Sequence, residues 1–165
     1  MKETTVTVRR CDFSNAADIK AFGELLNAYI ADEMGGGKPL TPSQQTLLTE
    51  KLDKDYKSAV LLALCDGVYC GMLVAFENFS TFTMHPMLNI HDVIVLKEYR
   101  GRGIGRKLLE KIVETADGLD CSRVTLEVRH DNLVARNLYA SLDFKDTSPP
   151  MYYWRRELNK DDFKH

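Results

Sequence analysis

The sequence predicts a mixed α/β (α+β) fold, with a central and mostly antiparallel sheet that carries helices on both faces. Three observations predict it. Apolar residues repeat at helical spacing in some segments and at strand spacing in others, in the order β-α-α-β-β-β-α-β-α-β. The Asp66-Gly67 pair is a strong turn signal between two strands, and such a hairpin must be antiparallel. Strands alternate with helices in the second half, where strand–helix–strand units require parallel pairing with right-handed crossovers.

The first half begins with a strand and two helices. Thr5–Cys11 alternates in polarity, as a strand does. Asp18–Met34 places apolar residues three and four positions apart, which is the spacing of an amphipathic helix. The stretch GGGKPLTP then breaks that helix and predicts a flexible loop. A second helix is predicted at Ser43–Leu52, where Thr-Pro-Ser at 41–43 is the start signal.

Three strands are predicted in the middle of the chain. Ser58–Cys65 and Val68–Glu77 flank the Asp-Gly turn and form the hairpin. Asn78–Pro86 is polar and aromatic, and we expect it to be a loop. Leu88–Leu96 is mainly apolar and predicts the next strand.

The second half alternates helix and strand. A glycine-rich turn follows Leu96 and opens a helix that is predicted to run to about Ala116. Arg123–Val128 is predicted as a strand, Leu133–Leu142 as a helix and Met151–Leu158 as the closing strand.

Composition places the chain among ordinary globular proteins. Its 165 residues fit one domain, 1–165, and 44% hydrophobic with 28% charged residues is typical of a packed core. The net charge of −2 gives no indication of a nucleic-acid partner. The longest apolar run, Ala59–Cys65, is too short to span a membrane, and the first ten residues lack a secretory signal. The four cysteines and four histidines lack metal-ligand spacing. We therefore expect a cytoplasmic protein with no metal site, no nucleic-acid partner and no membrane partner.

The stretch YRGRGIGRKLL, residues 99–109, places three glycines at the start of a predicted helix. The first amides of a helix lack partners and carry partial positive charge, and glycines let an anion approach them. Arg100, Arg102 and Arg106 add positive charge. Leu108 excludes a dinucleotide fingerprint, and the lack of a Gly-Lys-Ser/Thr end excludes a Walker A motif. On spacing alone, a phosphate site and an ordinary basic surface turn both stay open.

A second block, LEVRHDNLVARNLYASLDF, stands downstream of the glycine turn. Together the two blocks resemble the GNAT superfamily of acyl-CoA-dependent N-acetyltransferases. The first fits its pyrophosphate signature, Arg/Gln-x-x-Gly-x-Gly/Ala, at Arg100, Gly103 and Gly105. The second is similar to the family's later segment at Asn132, Ala135, Leu138 and Tyr139. Where the family usually has Gly-Phe, this chain has Asp143-Phe144, and aspartate tolerates the left-handed turn that glycine would adopt.

The resemblance implies that acetyl-CoA (coenzyme A) is the cofactor. In the family, one strand splays from its neighbour and offers free backbone groups to the pantetheine arm, and a backbone N–H near Val93 is then the natural oxyanion donor. Tyr139 is implied as the general acid that protonates the leaving thiolate, although a tyrosine that merely packs on a helix face stays open. The implied cofactor-binding residues are Val93, Ile94, Val95, Arg100, Gly101, Arg102, Gly103, Ile104, Gly105, Arg106, Asn132 and Tyr139.

The catalytic base is implied by a narrower resemblance. NIHDVIV is similar to the strand of the diamine (spermidine/spermine) acetyltransferases that carries Glu-Asp, so His91 falls where that subgroup has its catalytic glutamate. A histidine accepts a proton near neutral pH, and Asp92 could orient it or act itself. Adjacent residues of a regular strand face opposite sides, so both should not line one pocket. A structural role for either residue and an ordered water chain as the base also stay open.

The family places its acceptor site beside the first two helices and the later strand connections. Tyr29, Asp32 and Phe79 are the predicted substrate-binding residues, and Gly35–Gly37 could permit closure over substrate. We expect transfer of an acetyl group from acetyl-CoA to the primary amine of a small molecule, by direct attack through a tetrahedral intermediate. The alternatives are a protein lysine or N-terminal acetyltransferase, a non-catalytic acyl-CoA-binding sensor or interaction module, and a nucleotide-binding protein. A homodimer stays open, because members of the family are often dimers.

Overall fold

The computed structural model describes residues 4–158 of the chain. In those residues the strands are β1 (Val6–Arg10), β2 (Ser58–Cys65), β3 (Val68–Ser80), β4 (His85–Val95) and β5 (Val124–Leu126). The α-helices are α1 (Ala16–Ile30), α2 (Pro42–Lys54), α3 (Ile104–Gly118) and α4 (Leu133–Ala140), and a short 3₁₀ turn spans Lys97–Tyr99.

The five strands form one sheet in the order β1-β2-β3-β4-β5. The first four pair antiparallel, and β5 pairs parallel to β4 after the α3 crossover. The predicted Asp-Gly turn joins β2 to β3, and both of its residues have positive φ, 50° at Asp66 and 82° at Gly67, as tight hairpin turns require. The predicted mixed and mostly antiparallel sheet is confirmed.

Helices cover both faces of this sheet. Along β2, Leu61 and Ala63 pack in one apolar cluster with α3, whereas Val60 and Leu62 pack in a second cluster beneath α1 and α2. Successive strand residues point to opposite faces, so a strand covered on both sides needs a continuous apolar run. This requirement explains why residues 59–65 of β2 are an unbroken run of hydrophobic residues. Each buried leucine contributes roughly 1.5–3 kcal/mol.

Asp18 holds α1 against the sheet. Its side chain is fully buried and accepts hydrogen bonds from Arg9 Nη2 at 2.6 Å and from the Tyr69 hydroxyl at 2.6 Å. The bonded Arg9 guanidinium holds the pKa of Asp18 well below its usual range. The ion pair therefore stabilises the fold above the unfolded aspartate pKa of about 3.9 and loses that contribution as the pH falls.

Two predicted elements differ from the structure. Asn78–Pro86 is not a long loop, because β3 continues to Ser80 and β4 begins at His85. The two strands pair through this stretch, and only residues 81–84 form the turn. A polar and aromatic strand that protrudes into solvent has no apolar pattern to reveal it.

The closing strand predicted at Met151–Leu158 was wrong: within residues 4–158 this segment forms no sheet pairing. A strand needs a partner edge as well as a pattern, and β5, at the end of the sheet, offers three residues. The aromatic side chains of the segment are exposed, Trp154 by 87%.

None of the helices among the described residues combines the length and the apolar character that crossing a membrane requires.

Candidate active site

A cavity of about 740 Å³ lies where β4 and β5 separate. The two strands pair only between Leu88–Ile90 and Val124–Leu126. Beyond that point both continue as walls of the cavity, with Val93 to Val95 on one side and residues 127–129 on the other. Backbone groups of β4 that would face a partner strand thus face the cavity instead.

The glycine turn closes one end of this cavity. Gly101 and Gly103 have φ of 76° and 75°, a left-handed conformation that favours glycine. Gly103 is also the N-cap of α3 and supplies no side chain to its amides, so the N–H groups of residues 104–106 keep no intrahelical acceptor. A Cβ on Gly105 would lie 3.2 Å from Leu138 Cδ2, so glycine allows α4 to approach the first turn of α3. The turn presents bare amides and a helix N-terminus to the cavity.

The arginines of the turn are placed differently from one another. Arg100 and Arg106 line the cavity. Arg102 is not among its lining residues; its guanidinium lies 5.2 Å from the centroid of the Tyr99 ring and donates to the Glu98 carbonyl at 3.1 Å. The donor set of the turn, amides with two flanking guanidinium groups, fits a pyrophosphate group attached to an extended arm.

Asn132 and Tyr139 bring α4 to the same cavity. Asn132 is the N-cap of α4, and its side-chain oxygen accepts from Ala135 N at 3.2 Å. Tyr139 stands seven residues later, two turns along the same helix face, and both residues line the cavity. Burial raises the pKa of the Tyr139 phenol. The left-handed turn expected after this helix is confirmed, because Asp143 has φ of 63°.

A β-bulge changes the placement of His91 and Asp92. Val74 pairs with Asp92 and Ala75 pairs with Ile90, so His91 is an extra residue without a partner in β3. Its ring centroid lies 4.9 Å from that of Phe76, which packs with the cluster beneath α1 and α2. Asp92 lies near Tyr29, which belongs to that same cluster. The bulge therefore turns both residues toward the α1/α2 side, contrary to the expectation for a regular strand.

His91 lines the cavity, whereas Asp92 is half-buried and is not among the lining residues. Burial raises the pKa of the Asp92 carboxyl, and neighbouring His91 partly opposes that rise. Among the described residues, no hydrogen-bond donor binds the Asp92 side chain. A carboxyl group in such surroundings takes up a proton more readily than an exposed aspartate does.

The predicted acceptor residues divide into two groups. Tyr29 and Asp32, at the end of α1, line the cavity together with Glu33 and Met34. Burial raises the pKa of Tyr29, with further contributions from the Asp92 and Asp32 carboxylates. Phe79 does not reach the cavity, because it lies on the protruding β3–β4 hairpin with 63% of its surface exposed.

A match to a family model identifies the protein family of this chain. The model described as the Acetyltransferase (GNAT) family matches residues 24–144, which includes the glycine turn, the bulged strand and α4. The chain belongs to the GNAT family. The resemblance read from the two sequence blocks is thereby confirmed, and with it the class of acyl-CoA-dependent acetyltransferases at the level of the family.

Three proteins are similar in sequence to part of this GNAT chain. A protein of Archaeoglobus fulgidus described as an uncharacterized N-acetyltransferase is 39% identical over 90 residues, 54% of this chain and 61% of that protein. The N-alpha-acetyltransferase RimI of Mycobacterium tuberculosis is 37% identical over 87 residues, 52% and 53% of the two chains. The thialysine N-epsilon-acetyltransferase of Mus musculus is 38% identical over 68 residues, 41% and 39% of the two chains. The matched parts thus span between 39% and 61% of these relatives' lengths.

The same fold occurs in solved structures. The crystal structure of a probable acetyltransferase superposes with a TM-score of 0.79 at 20% identity, covering 94% of this chain and 99% of that one. At this identity the likeness concerns the fold.

Three charged residues of the GNAT cavity escaped the sequence reasoning: Lys97, Glu127 and Arg129. Lys97 stands three residues before the signature arginine, and Arg129 stands three residues before Asn132. Their closeness in sequence to the two family blocks could have indicated that they line the cavity. Arg129 Nη2 forms an ion pair with Asp131 Oδ2 at 2.7 Å.

Proposed function

We propose that the protein transfers the acetyl group of acetyl-CoA to the primary amine of a small molecule. One observation carries this proposal: a single cavity connects the bare amides of the glycine turn with Tyr139 and with His91, the bulged residue that precedes Asp92. An anion site at one end and proton-transferring groups at the other are what acetyl transfer from a charged carrier requires.

The carrier would be held by backbone groups more than by side chains. The amides of residues 101–106 would take the pyrophosphate, and Asn132 with the unpaired edge of Val93–Val95 would take the pantetheine arm. Acetyl-CoA supplies an acetyl group activated as a thioester. A free N–H of β4 near Val93 would donate to the oxygen that becomes negative during transfer.

Protons must move at both ends of the reaction. The amine has to lose a proton before it attacks, and the raised pKa of Asp92 beside His91 suits this pair to receive it, directly or through water. The Tyr139 phenol, which burial keeps protonated, suits the return of a proton to the leaving sulfur.

Replacing Asp92 with asparagine should stabilise the protein while lowering its turnover. Burial favours the protonated carboxyl, so the folded state loses stability as the pH rises from the unfolded pKa of about 3.9 through the raised folded pKa. At pH 7 the variant should melt higher by roughly 2–4 °C, the change that about 1 kcal/mol produces in a chain of this size. Calorimetric melting at pH 7 and at pH 3.5 checks the sign, because the gain should vanish at the lower pH.

Asp12→Asn is the matched control for Asp92→Asn. Hydrogen bonds from Ser14 lower the pKa of the exposed Asp12 carboxyl, so the same substitution should give no stabilisation there. A Tm for Asp92→Asn at pH 7 equal to or below that of the unaltered protein would contradict the burial argument.

The acceptor end of the cavity favours a small cationic amine. Glu33 provides negative charge there, and Tyr29 provides an aromatic wall. The partial likeness to a thialysine N-epsilon-acetyltransferase supports such an acceptor. The comparable likeness to RimI supports a second candidate, transfer to the N-terminal amine of a protein. The homodimer and the cytoplasmic location stay predictions.

Release of free CoA thiol from acetyl-CoA tests the proposal. The assay would use a panel of candidate acceptors: polyamines, thialysine, lysine, aminoglycosides and peptides with free N-termini. Amine-dependent release with the small molecules supports the first candidate, and release with the peptides alone supports the second. Stabilisation by acetyl-CoA without release across the panel would favour a sensor module instead.

A further inference from the structure

One ion pair joins the two halves of the cavity. Arg100 Nη2 donates to Asp32 Oδ2 at 3.0 Å, although the residues are 68 positions apart. Asp32 begins the connection between α1 and α2, and Arg100 begins the glycine turn. The Asp32 side chain is 11% exposed and the Arg100 side chain is 48% exposed, so water screens this contact from the arginine side only.

Asp32 organises the start of the α1–α2 connection. Its Oδ1 atom accepts from Met34 N at 3.1 Å, and its carbonyl accepts from Gly35 N at 2.9 Å and from Gly36 N at 3.1 Å. The Asp32 side chain thus holds the amide of Met34, which lines the cavity, and the Asp32 backbone carbonyl holds the next two amides. The far end of the connection is fixed separately, since Asn27 makes two hydrogen bonds with the backbone of Leu40.

Two of the five N–H donors of the Arg100 guanidinium bond within the protein, and the others remain for the cofactor end of the cavity. Besides the bond to Asp32, its Nε donates to the Val95 carbonyl at 2.9 Å, at the end of β4. The guanidinium therefore bridges β4 to the α1–α2 connection. Each oxygen of Asp32 already accepts one hydrogen bond, and the Arg100 guanidinium offsets its charge, so this carboxylate attracts a cationic amine less than an unpaired one would.

We propose that Arg100, acting through Asp32, positions the acceptor-side wall of the cavity, and that Asp32 is a positioning residue, not a ligand of the amine. This inference rests on the proposed function for the identity of that wall. The ion pair fixes the Asp32 side chain, and that side chain holds the amide of Met34. The Asp32 carbonyl accepts from the amides of Gly35 and Gly36 and completes the turn, which sets where Glu33 and Met34 face the cavity. The signature arginine then serves the acceptor end as well as the cofactor end.

Hydrogen exchange on the full chain without ligand tests the structural step. Arg100→Gln should make the amides of residues 34–36 exchange roughly two- to fivefold faster, the range that such a pair contributes. Asp32→Asn should do the same, and the double variant should be no faster than the faster single one. Unchanged core amides of β2 and β3 would show that the fold is intact.

Arg102→Gln is the control for exchange, because Arg102 stands two residues away and contacts Glu98 and Tyr99 instead. The Arg102→Gln variant should leave the exchange rates of the amides of residues 34–36 equal to those in the unaltered protein. Unaltered exchange of residues 34–36 in Arg100→Gln would overturn the proposal, and so would equal acceleration in Arg102→Gln.

Steady-state kinetics with the acceptor amine that the CoA-release panel identifies supply a second readout. At saturating acetyl-CoA, both single variants should raise the amine KM severalfold with little change in kcat, and their effects should not add. A raised KM in Asp32→Asn alone would mean that Asp32 binds the amine directly, which overturns the proposal. The exchange experiment needs no turnover, so failure of the acetyl-transfer proposal and failure of this one remain distinct.

Discussion

Replacing Tyr139 with phenylalanine should lower kcat by about a hundredfold while CoA affinity changes little. The phenol is the one acidic hydroxyl that α4 brings into the cavity, and burial raises its pKa, which keeps the proton on the oxygen at neutral pH. Phenylalanine retains the ring and its contact with Phe144, whose centroid lies 6.0 Å away. The substitution therefore removes a proton donor without opening a hole. Steady-state thiol release and calorimetric titration with CoA measure the two quantities.

Tyr152→Phe is the control for this experiment. Tyr152 is 88% exposed, lies outside the cavity and loses the same hydroxyl, so kcat should not change. Equal kcat in Tyr139→Phe and the unaltered protein would remove the phenol from the mechanism. A large loss of CoA affinity in Tyr139→Phe would instead make Tyr139 a binding residue.

The parts of the fold that could be predicted are those with local causes. The alternation of β2 residues between two apolar clusters appears in the sequence as one hydrophobic run, and the Asp-Gly turn sets its own backbone conformation. The glycines before α3 likewise mark left-handed φ values that few other residues adopt. The left-handed turn at Asp143 was inferred from the family resemblance, because the family usually has glycine there and aspartate tolerates the same conformation.

The parts that could not be predicted depend on partners distant in the chain. The bulge at His91 exists only in relation to the register of β3, so periodicity within β4 could not reveal it. The pairing of Asp32 with Arg100 depends on how α1 packs over the sheet. Met151–Leu158 has a strand pattern, but a pattern cannot supply the neighbouring edge.

Replacing Gly103 with valine should weaken CoA binding by roughly 10- to 100-fold while the chain still folds. Gly103 has φ of 75°, which a β-branched residue adopts only at a cost of about 1–3 kcal/mol. The turn can relieve that strain by changing its backbone conformation, and the amides of residues 104–106 then no longer converge on one anion. A Cβ at this position would meet nothing within 4 Å, so the expected loss comes from the backbone and not from a clash with the protein.

Gly67→Val separates this effect from general destabilisation. Gly67 has φ of 82°, and a Cβ there would also meet nothing within 4 Å, but it lies in the β2–β3 turn outside the cavity. Both variants should lose similar Tm, and only Gly103→Val should lose CoA affinity in calorimetric titration. Equal affinities in the two variants would mean that the glycine turn does not bind the pyrophosphate. The proposed anion site rests on the backbone of this turn, and backbone strain applied at two matched glycines is the most direct test of it.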